Sequence, residues 1–155
     1  MAPAPTIVIH SETEMAALAA KLLPFLKPGR PLLLSGPIGA GKTHLARELI
    51  QSMAGDEEEV PSPTYTIVQI YSADGIEIWH ADLYRIDDSS EVIELGLDDA
   101  LDTAIVIIEW PDRLPNDLVP KDAIIIDISP MGEDREVRIS GECASEILKA
   151  LAVDA

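Results

Sequence analysis

A single cysteine, Cys143, stands among 155 residues, and that scarcity excludes an internal disulfide and a cysteine-rich metal cluster. It fits a reducing compartment, with the thiol as a small buried residue. Cations are scarce too. Eleven Lys and Arg face 28 Asp and Glu, a net charge of −17, so the surface as a whole repels nucleic acid and anionic membranes. A basic protein surface is a more natural partner than bare RNA. Any anion must bind at a local exception, because carboxylates more than about 8 Å away are largely screened in physiological salt. Long apolar runs are also missing: none approaches the roughly 18 residues of a membrane span. The opening Met-Ala-Pro-Ala-Pro-Thr lacks the basic segment and apolar run of an export signal. These absences predict a cytoplasmic protein with no membrane contact. Length suits one domain, 1–155, large enough to hide about 70% of the unfolded chain's surface.

What is present is an anion site. Gly36-Pro37-Ile38-Gly39-Ala40-Gly41-Lys42-Thr43 fits the phosphate-loop pattern of Gly, four residues, then Gly-Lys-Ser/Thr. Three glycines let backbone N–H groups curl around a phosphate chain, Lys42 supplies a point charge, and Thr43 offers a hydroxyl to magnesium. Gly36, Ile38, Gly39, Ala40, Gly41, Lys42 and Thr43 are therefore expected to cradle a nucleotide. Before the loop, Pro31 to Ser35 is a short apolar run suited to a buried strand. After it, Leu45, Leu49 and Met53 recur every four residues with Ala46 and Ile50 beside them, as on one helix face. Strand, loop and helix thus follow in the order that aims a helix N-terminus at the anion.

The flanking chain supplies candidate partners. Thr6 to His10 reads as a strand, and Ser11-Glu12-Thr13-Glu14 as a capping box opening a helix through Met15, Leu18, Ala19 and Leu22. The corner at Ser11 and Thr13 is a place where a nucleotide could lie. Gly55 suits a helix end, and the acidic run 56–59 a solvated connection. Val60-Pro61-Ser62-Pro63-Thr64-Tyr65 is held extended by its prolines, with the Ser62 and Thr64 hydroxyls free; it reads as a switch facing the terminal phosphate or as a stiff turn. Tyr65 to Tyr71 and Ile76 to Tyr84 are strands joined through Asp74-Gly75, a strong hairpin signal. Alternation puts Ile76, Ile78, His80 and Asp82 on one face, so His80 and Asp82 emerge together at a strand end. Asp82 is a candidate for the metal or phosphate side, and His80 for a structural or catalytic role.

Ser89 or Ser90 can cap a short helix ending at Gly96, with another turn over Asp98 to Asp102. Thr103 to Trp110 is a continuous apolar run closed by Glu109, as expected of a central parallel strand that delivers an acid to the sheet edge. Glu109 is the leading magnesium-side carboxylate. Asp127 follows a similar run, but Ile128 and Ser129 carry that run past the acid, and Arg135 to Ile139 reads as the other arm of a hairpin. The proline-rich loop 110–120 carries Arg113 and could pass over the nucleotide base. Glu142 to Leu151 suits a terminal helix with Ile147, Leu148 and Leu151 on its apolar stripe. Together these elements predict an α/β chain, a three-layer sandwich of the P-loop NTPase type. Its central sheet is largely parallel with antiparallel hairpin strands, and helices cover both faces.

On these residues the chain resembles the bacterial TsaE (YjeE) family. The likeness rests on Gly39-Ala40-Gly41-Lys42-Thr43 with Arg47, on Ser62-Pro63-Thr64-Tyr65-Thr66, and on His80-Ala81-Asp82-Leu83-Tyr84-Arg85. Glu94-Leu95-Gly96-Leu97 and Ile108-Glu109-Trp110-Pro111 complete it. The phosphate loop alone is widespread; the ordered set is far more specific. The resemblance implies a Mg²⁺-dependent ATPase of tRNA threonylcarbamoyladenosine formation that acts with the TsaB and TsaD proteins and meets tRNA only through that complex. It implies Thr43 and Glu109 as magnesium ligands and Lys42, Asp82 and Glu109 as the catalytic set. The loop from Ser62 to Tyr65 is implied as the switch, and residues near Thr13 and Arg135 as nucleotide contacts. Pro37 and His44 depart from the commoner pattern, which has Asp and a second Thr or Ser, but neither side chain is needed for the backbone cradle. A small-molecule kinase is the alternative from the loop alone; it needs an arginine-bearing lid, and no arginine cluster stands out. A nucleotide-gated binding module without catalysis is the other. No guanine-reading Asn-Lys-x-Asp string is present.

Overall fold

The computed structural model describes residues 6–37, 39–55, 59–61 and 67–152. Ile38 and the whole segment 62–66, with the expected switch residues Ser62, Thr64 and Tyr65, lie outside the described residues.

Seven strands form one sheet in the order β1-β7-β6-β2-β5-β4-β3. They are β1 (Thr6–Ile9), β2 (Leu32–Ser35), β3 (Val68–Ala73), β4 (Ile76–Asp82), β5 (Ile105–Glu109), β6 (Ile124–Met131) and β7 (Asp134–Ser140). The central strands β6, β2, β5 and β4 run parallel, while β3, β7 and β1 join antiparallel at the two sides. Burial follows from that position. All five residues of β5 are buried, as a parallel strand covered on both faces requires. Its side chains divide by alternation: Ile105 and Ile107 enter one core cluster and Val106 and Ile108 the other.

Helices α1 (Glu12–Leu22), α2 (Lys42–Ala54) and α5 (Ala144–Ala152) cover the first face, and α3 (Ser90–Glu94) and α4 (Leu97–Thr103) the second. This is the three-layer arrangement expected from sequence. Ser11 caps α1 by accepting the Glu14 N–H, and Glu14 returns to the His10 N–H, closing the expected capping box. Asp74 and Gly75 both take positive φ, as a two-residue hairpin turn with the strands' own twist demands. The stretch expected as a turn at Asp98–Asp102 is instead part of α4. Leu97, Ala100 and Leu101 are buried there, and Asp98 and Asp99 occupy its first turn, where carboxylates complement the helix dipole. β5 correspondingly begins at Ile105, not at Thr103, which closes α4. No helix among the described residues is long and apolar enough to cross a membrane.

The register matters most for function. Leu34 pairs with Glu109, and Glu109 with Asp82. Three adjacent parallel strands therefore end in line, with Glu109 in the middle of that row and the glycine loop leaving from β2 at its side.

One stability prediction follows from the joint between β7 and α5. Gly141 has φ +112, and a Cβ there would stand 2.3 Å from the Ala123 carbonyl oxygen. Gly141→Ala is expected to destabilise by about 2–4 kcal/mol, from the left-handed backbone plus the clash, read as a lowered urea midpoint with an unchanged m-value.

Candidate active site

The glycine loop is held from both sides. Gly36 has φ +137, and a Cβ would fall 2.1 Å from the Ile128 carbonyl oxygen, so β6 passes too close for any other residue. From β7, Arg135 donates through Nε to the Ala40 carbonyl at 2.9 Å and through Nη2 to the Gly39 carbonyl at 3.4 Å. These two loop carbonyls are thereby satisfied, while the Ala40 N–H is taken by the Pro37 carbonyl. Gly41 is the N-cap of α2 and lacks a capping side chain, so the first-turn amides there are available to a ligand.

Lys42 opens α2 and is 4% exposed. Its Nζ donates to the Gly36 carbonyl and lies 3.5 Å from the centroid of the Trp110 ring, a cation–π contact strengthened by desolvation. Trp110 holds this pose from a left-handed backbone, φ 59 and ψ 57. Its N–H bonds the Leu34 carbonyl, and Tyr84 packs against its ring at 4.8 Å. Burial pushes the Lys42 ammonium below its ordinary pKa, and the carboxylates of Glu109, Asp82 and Asp112 pull it partly back.

Glu109 is 2% exposed, and both of its oxygens are engaged. Thr43 Oγ1 donates to Oε1 at 2.8 Å, and His80 Nε2 lies 2.6 Å from Oε2. Glu109 shares the parity of Ile105 and Ile107, which places it on the α2 face of β5; His80 and Asp82 share that face of β4 with Ile78. Asp82 is 5% exposed and accepts the Tyr84 N–H through Oδ1.

Two clefts meet at the start of α2. One, of about 280 Å³, is lined by Gly39, Gly41, Lys42, Thr43, His44, Asp82, Glu109 and Trp110. The other, of about 290 Å³, includes Ser11, Glu12, Met15 and Arg135. Gly41 and His44 belong to both. The first holds the chemistry for a phosphate chain: loop amides, one buried ammonium, a hydroxyl and two carboxylates. The second adjoins it with a more apolar wall of Ile9 and Met15.

The structure thus gathers Gly39, Gly41, Lys42, Thr43, Asp82 and Glu109 around one cleft and puts Arg135 beside it. Thr13 is exposed in the first turn of α1, and Arg113 is exposed on a single turn of 3₁₀ helix, Pro111–Arg113; neither lines the two clefts. Asp127 pairs across β6 and β7 with Arg138, away from both. Three features escape a reading by motif. The Trp110 ring over Lys42, the His80–Glu109 bond and the Arg135 tie to the loop each join residues from different elements. The only local hint is that a His sits two places before Asp82 and a Trp directly after Glu109.

Among the described residues no cluster of three or more His, Cys, Asp and Glu could hold a metal by itself. Thr43, Glu109 and Asp82 nevertheless make an all-oxygen donor set, the hard set that suits magnesium, which takes one or two carboxylates and leaves positions to water and phosphate.

Known proteins resemble this chain in sequence and in fold. A family profile described as threonylcarbamoyl adenosine biosynthesis protein TsaE matches residues 9–138. The Rickettsia conorii tRNA threonylcarbamoyladenosine biosynthesis protein TsaE is 39% identical over 112 residues, 72% of this chain and 64% of that protein, so the match spans just under two thirds of that relative's length. The Rickettsia bellii protein of the same name is 33% identical over 130 residues, 84% of this chain and 90% of its own. The Bacillus subtilis TsaE is 35% identical over 126 residues, 80% and 77% of the two chains. The crystal structure of Bacillus subtilis YdiB superposes with a TM-score of 0.75 at 26% identity, covering 99% of this chain and 97% of that one. A profile match over residues 9–138 and relatives this similar along most of their length place the chain in the TsaE family.

Proposed function

We propose that this chain is the ATP-binding and ATP-hydrolysing component of tRNA N6-threonylcarbamoyladenosine formation, working in the cytoplasm and coupling hydrolysis to turnover of a TsaB–TsaD complex. The observation that carries the catalytic part is the Thr43–Glu109 bond at the mouth of the glycine loop, with Asp82 in register beside it. Membership of a family of tRNA threonylcarbamoyladenosine biosynthesis proteins supports the tRNA part.

In this reading the loop amides and Lys42 bind the β- and γ-phosphates, and Lys42 exchanges its indole contact for phosphate oxygens. Thr43 and Glu109 would hold magnesium, with Asp82 alongside. Bound there, the metal neutralises charge that develops on the phosphate oxygens. The nucleotide crosses Gly41 and His44 into the adjoining cleft, where Arg135 braces the loop and Ile9 and Met15 offer an apolar wall to the base. Phosphoryl transfer is mostly positioning and charge stabilisation, and an added arginine is worth about 10³–10⁵ in rate. No arginine lines the phosphate cleft among the described residues. The isolated chain is therefore slow, and partner proteins complete the site. With a charge of −17, it meets those partners through basic protein surfaces and touches tRNA only through them.

Phosphate release from ATP is expected to fall by about 10²–10³ in Lys42→Ala and Glu109→Ala and to rise when TsaB and TsaD are added to the unaltered chain. Equal rates with and without the pair would remove the coupling, and wild-type release no greater than that of Lys42→Ala, partners present, would remove the enzyme. Trp79 and Trp110 are the only tryptophans, so in Trp79→Phe the remaining emission should change on adding Mg-ATP and stay constant when Lys42→Ala is added to it. pH gives a third check. Because the Lys42 pKa lies below its ordinary 10.5, raising the pH neutralises it early, and ATP affinity should fall in a window that opens below that value. Lys42→Arg, which stays charged, should abolish that decline as measured by calorimetry.

A further inference from the structure

His80 is wholly buried, 0% exposed, and belongs to no motif chemistry assigned above. Nε2 faces Glu109 Oε2 at 2.6 Å, while Nδ1 is buried with no hydrogen-bond partner among the described residues. A leucine or phenylalanine at this inward position would leave no ring nitrogen unpaired, so packing alone does not account for a histidine here. Facing a carboxylate, Nε2 is the nitrogen that donates.

The bond's effect is on where Glu109 points. A glutamate has three rotatable side-chain bonds, and a buried ammonium, Lys42, lies in the same cleft. Free to choose, the carboxylate would turn toward that charge and occupy both groups a nucleotide needs. Instead Lys42 is bonded to the Gly36 carbonyl, and Glu109 has one oxygen on His80 and the other on Thr43. His80 can reach because β4 lies beside β5 with His80 opposite Ile107, one same-face step back from Glu109.

We propose that His80 is a positioning residue: its Nε2–H anchors Glu109 through Oε2 so that Oε1 stays on Thr43 at the magnesium side of the loop and off Lys42. The inference rests on the Mg-nucleotide reading above. It adds that the metal-side geometry depends on a donor at this one buried point, contributed by the neighbouring strand.

The test is ADP affinity measured by calorimetry with magnesium and with EDTA, in the wild type, His80→Phe and His80→Gln. The wild type should bind more tightly with magnesium. His80→Phe should lose at least tenfold of that tightening with little change in the EDTA value, and His80→Gln, whose amide N–H reaches a place like that of Nε2, should recover most of it. A merely structural role would lower the melting temperature without moving the magnesium ratio. A wild-type magnesium ratio in folded His80→Phe would overturn the inference, as would a folded His80→Gln as deficient as His80→Phe. No magnesium effect in the wild type would instead overturn the Mg-nucleotide reading itself, and the inference with it. If His80→Phe does not fold, long-range ¹H–¹⁵N spectra of the wild type decide. With three histidines in the chain the ring of His80 is assignable, and a ring carrying its proton on Nδ1 alone would refute the anchor, whereas a proton on Nε2 that shifts in Glu109→Gln supports it.

Discussion

Glu109 holds the site together because it is the point where three elements meet. Thr43 comes from the start of α2, His80 from β4, and the acid itself from the end of β5. The fold makes that meeting geometrically cheap. A parallel register aligns the ends of β2, β5 and β4, and ligands of open α/β sheets gather outside such carboxyl ends. The two-faced burial of β5 fixes which way its last side chain points, since Ile105 and Ile107 must stay in the core beneath α2. Core packing and site chemistry are thus one constraint read at two positions of the same strand.

A second theme is local against global charge. The chain is strongly anionic, yet at the loop the balance is set by contacts of a few ångströms. Arg135 is engaged with the loop's own carbonyls, which shapes the cradle. Lys42 remains as the buried ammonium, its pKa lowered by burial and pulled partly back by the carboxylates around it. Net charge governs encounters with other macromolecules, where it is felt at long range, and says little about a site built from backbone dipoles.

How much of this could be read in the sequence depended on the range of the cause. The glycine loop, the Asp74-Gly75 hairpin and the strand closed by Glu109 are local patterns, and each formed where the residues indicated. The helix at Leu97–Thr103 was hidden by its acids, because two buried leucines and an alanine outweigh three aspartates that face solvent or the helix start. His80 and Glu109 are 29 residues apart, and Arg135 and Gly39 are 96 apart; no window reaches across such distances, and only the strand order brings them together. Trp110's left-handed backbone is likewise set by its surroundings, with the Leu34 carbonyl and the Tyr84 ring holding it in place. Thr13 was placed by the corner between β1 and α1 and by the family resemblance, and Arg113 by its proline-rich loop; both side chains are exposed, beside the two clefts' linings rather than in them.

On the proposed function, the indole lying on Lys42 would make anion capture an exchange rather than an addition. An ammonium in an empty loop would have to shed water when phosphate arrives; here the aromatic face has already displaced it, and an incoming oxygen replaces one weak, non-directional partner with a charged one. The same face waits nearby when the anion leaves. A contact that stabilises the empty loop weakens capture by as much as it assists release, so it favours release over tight retention.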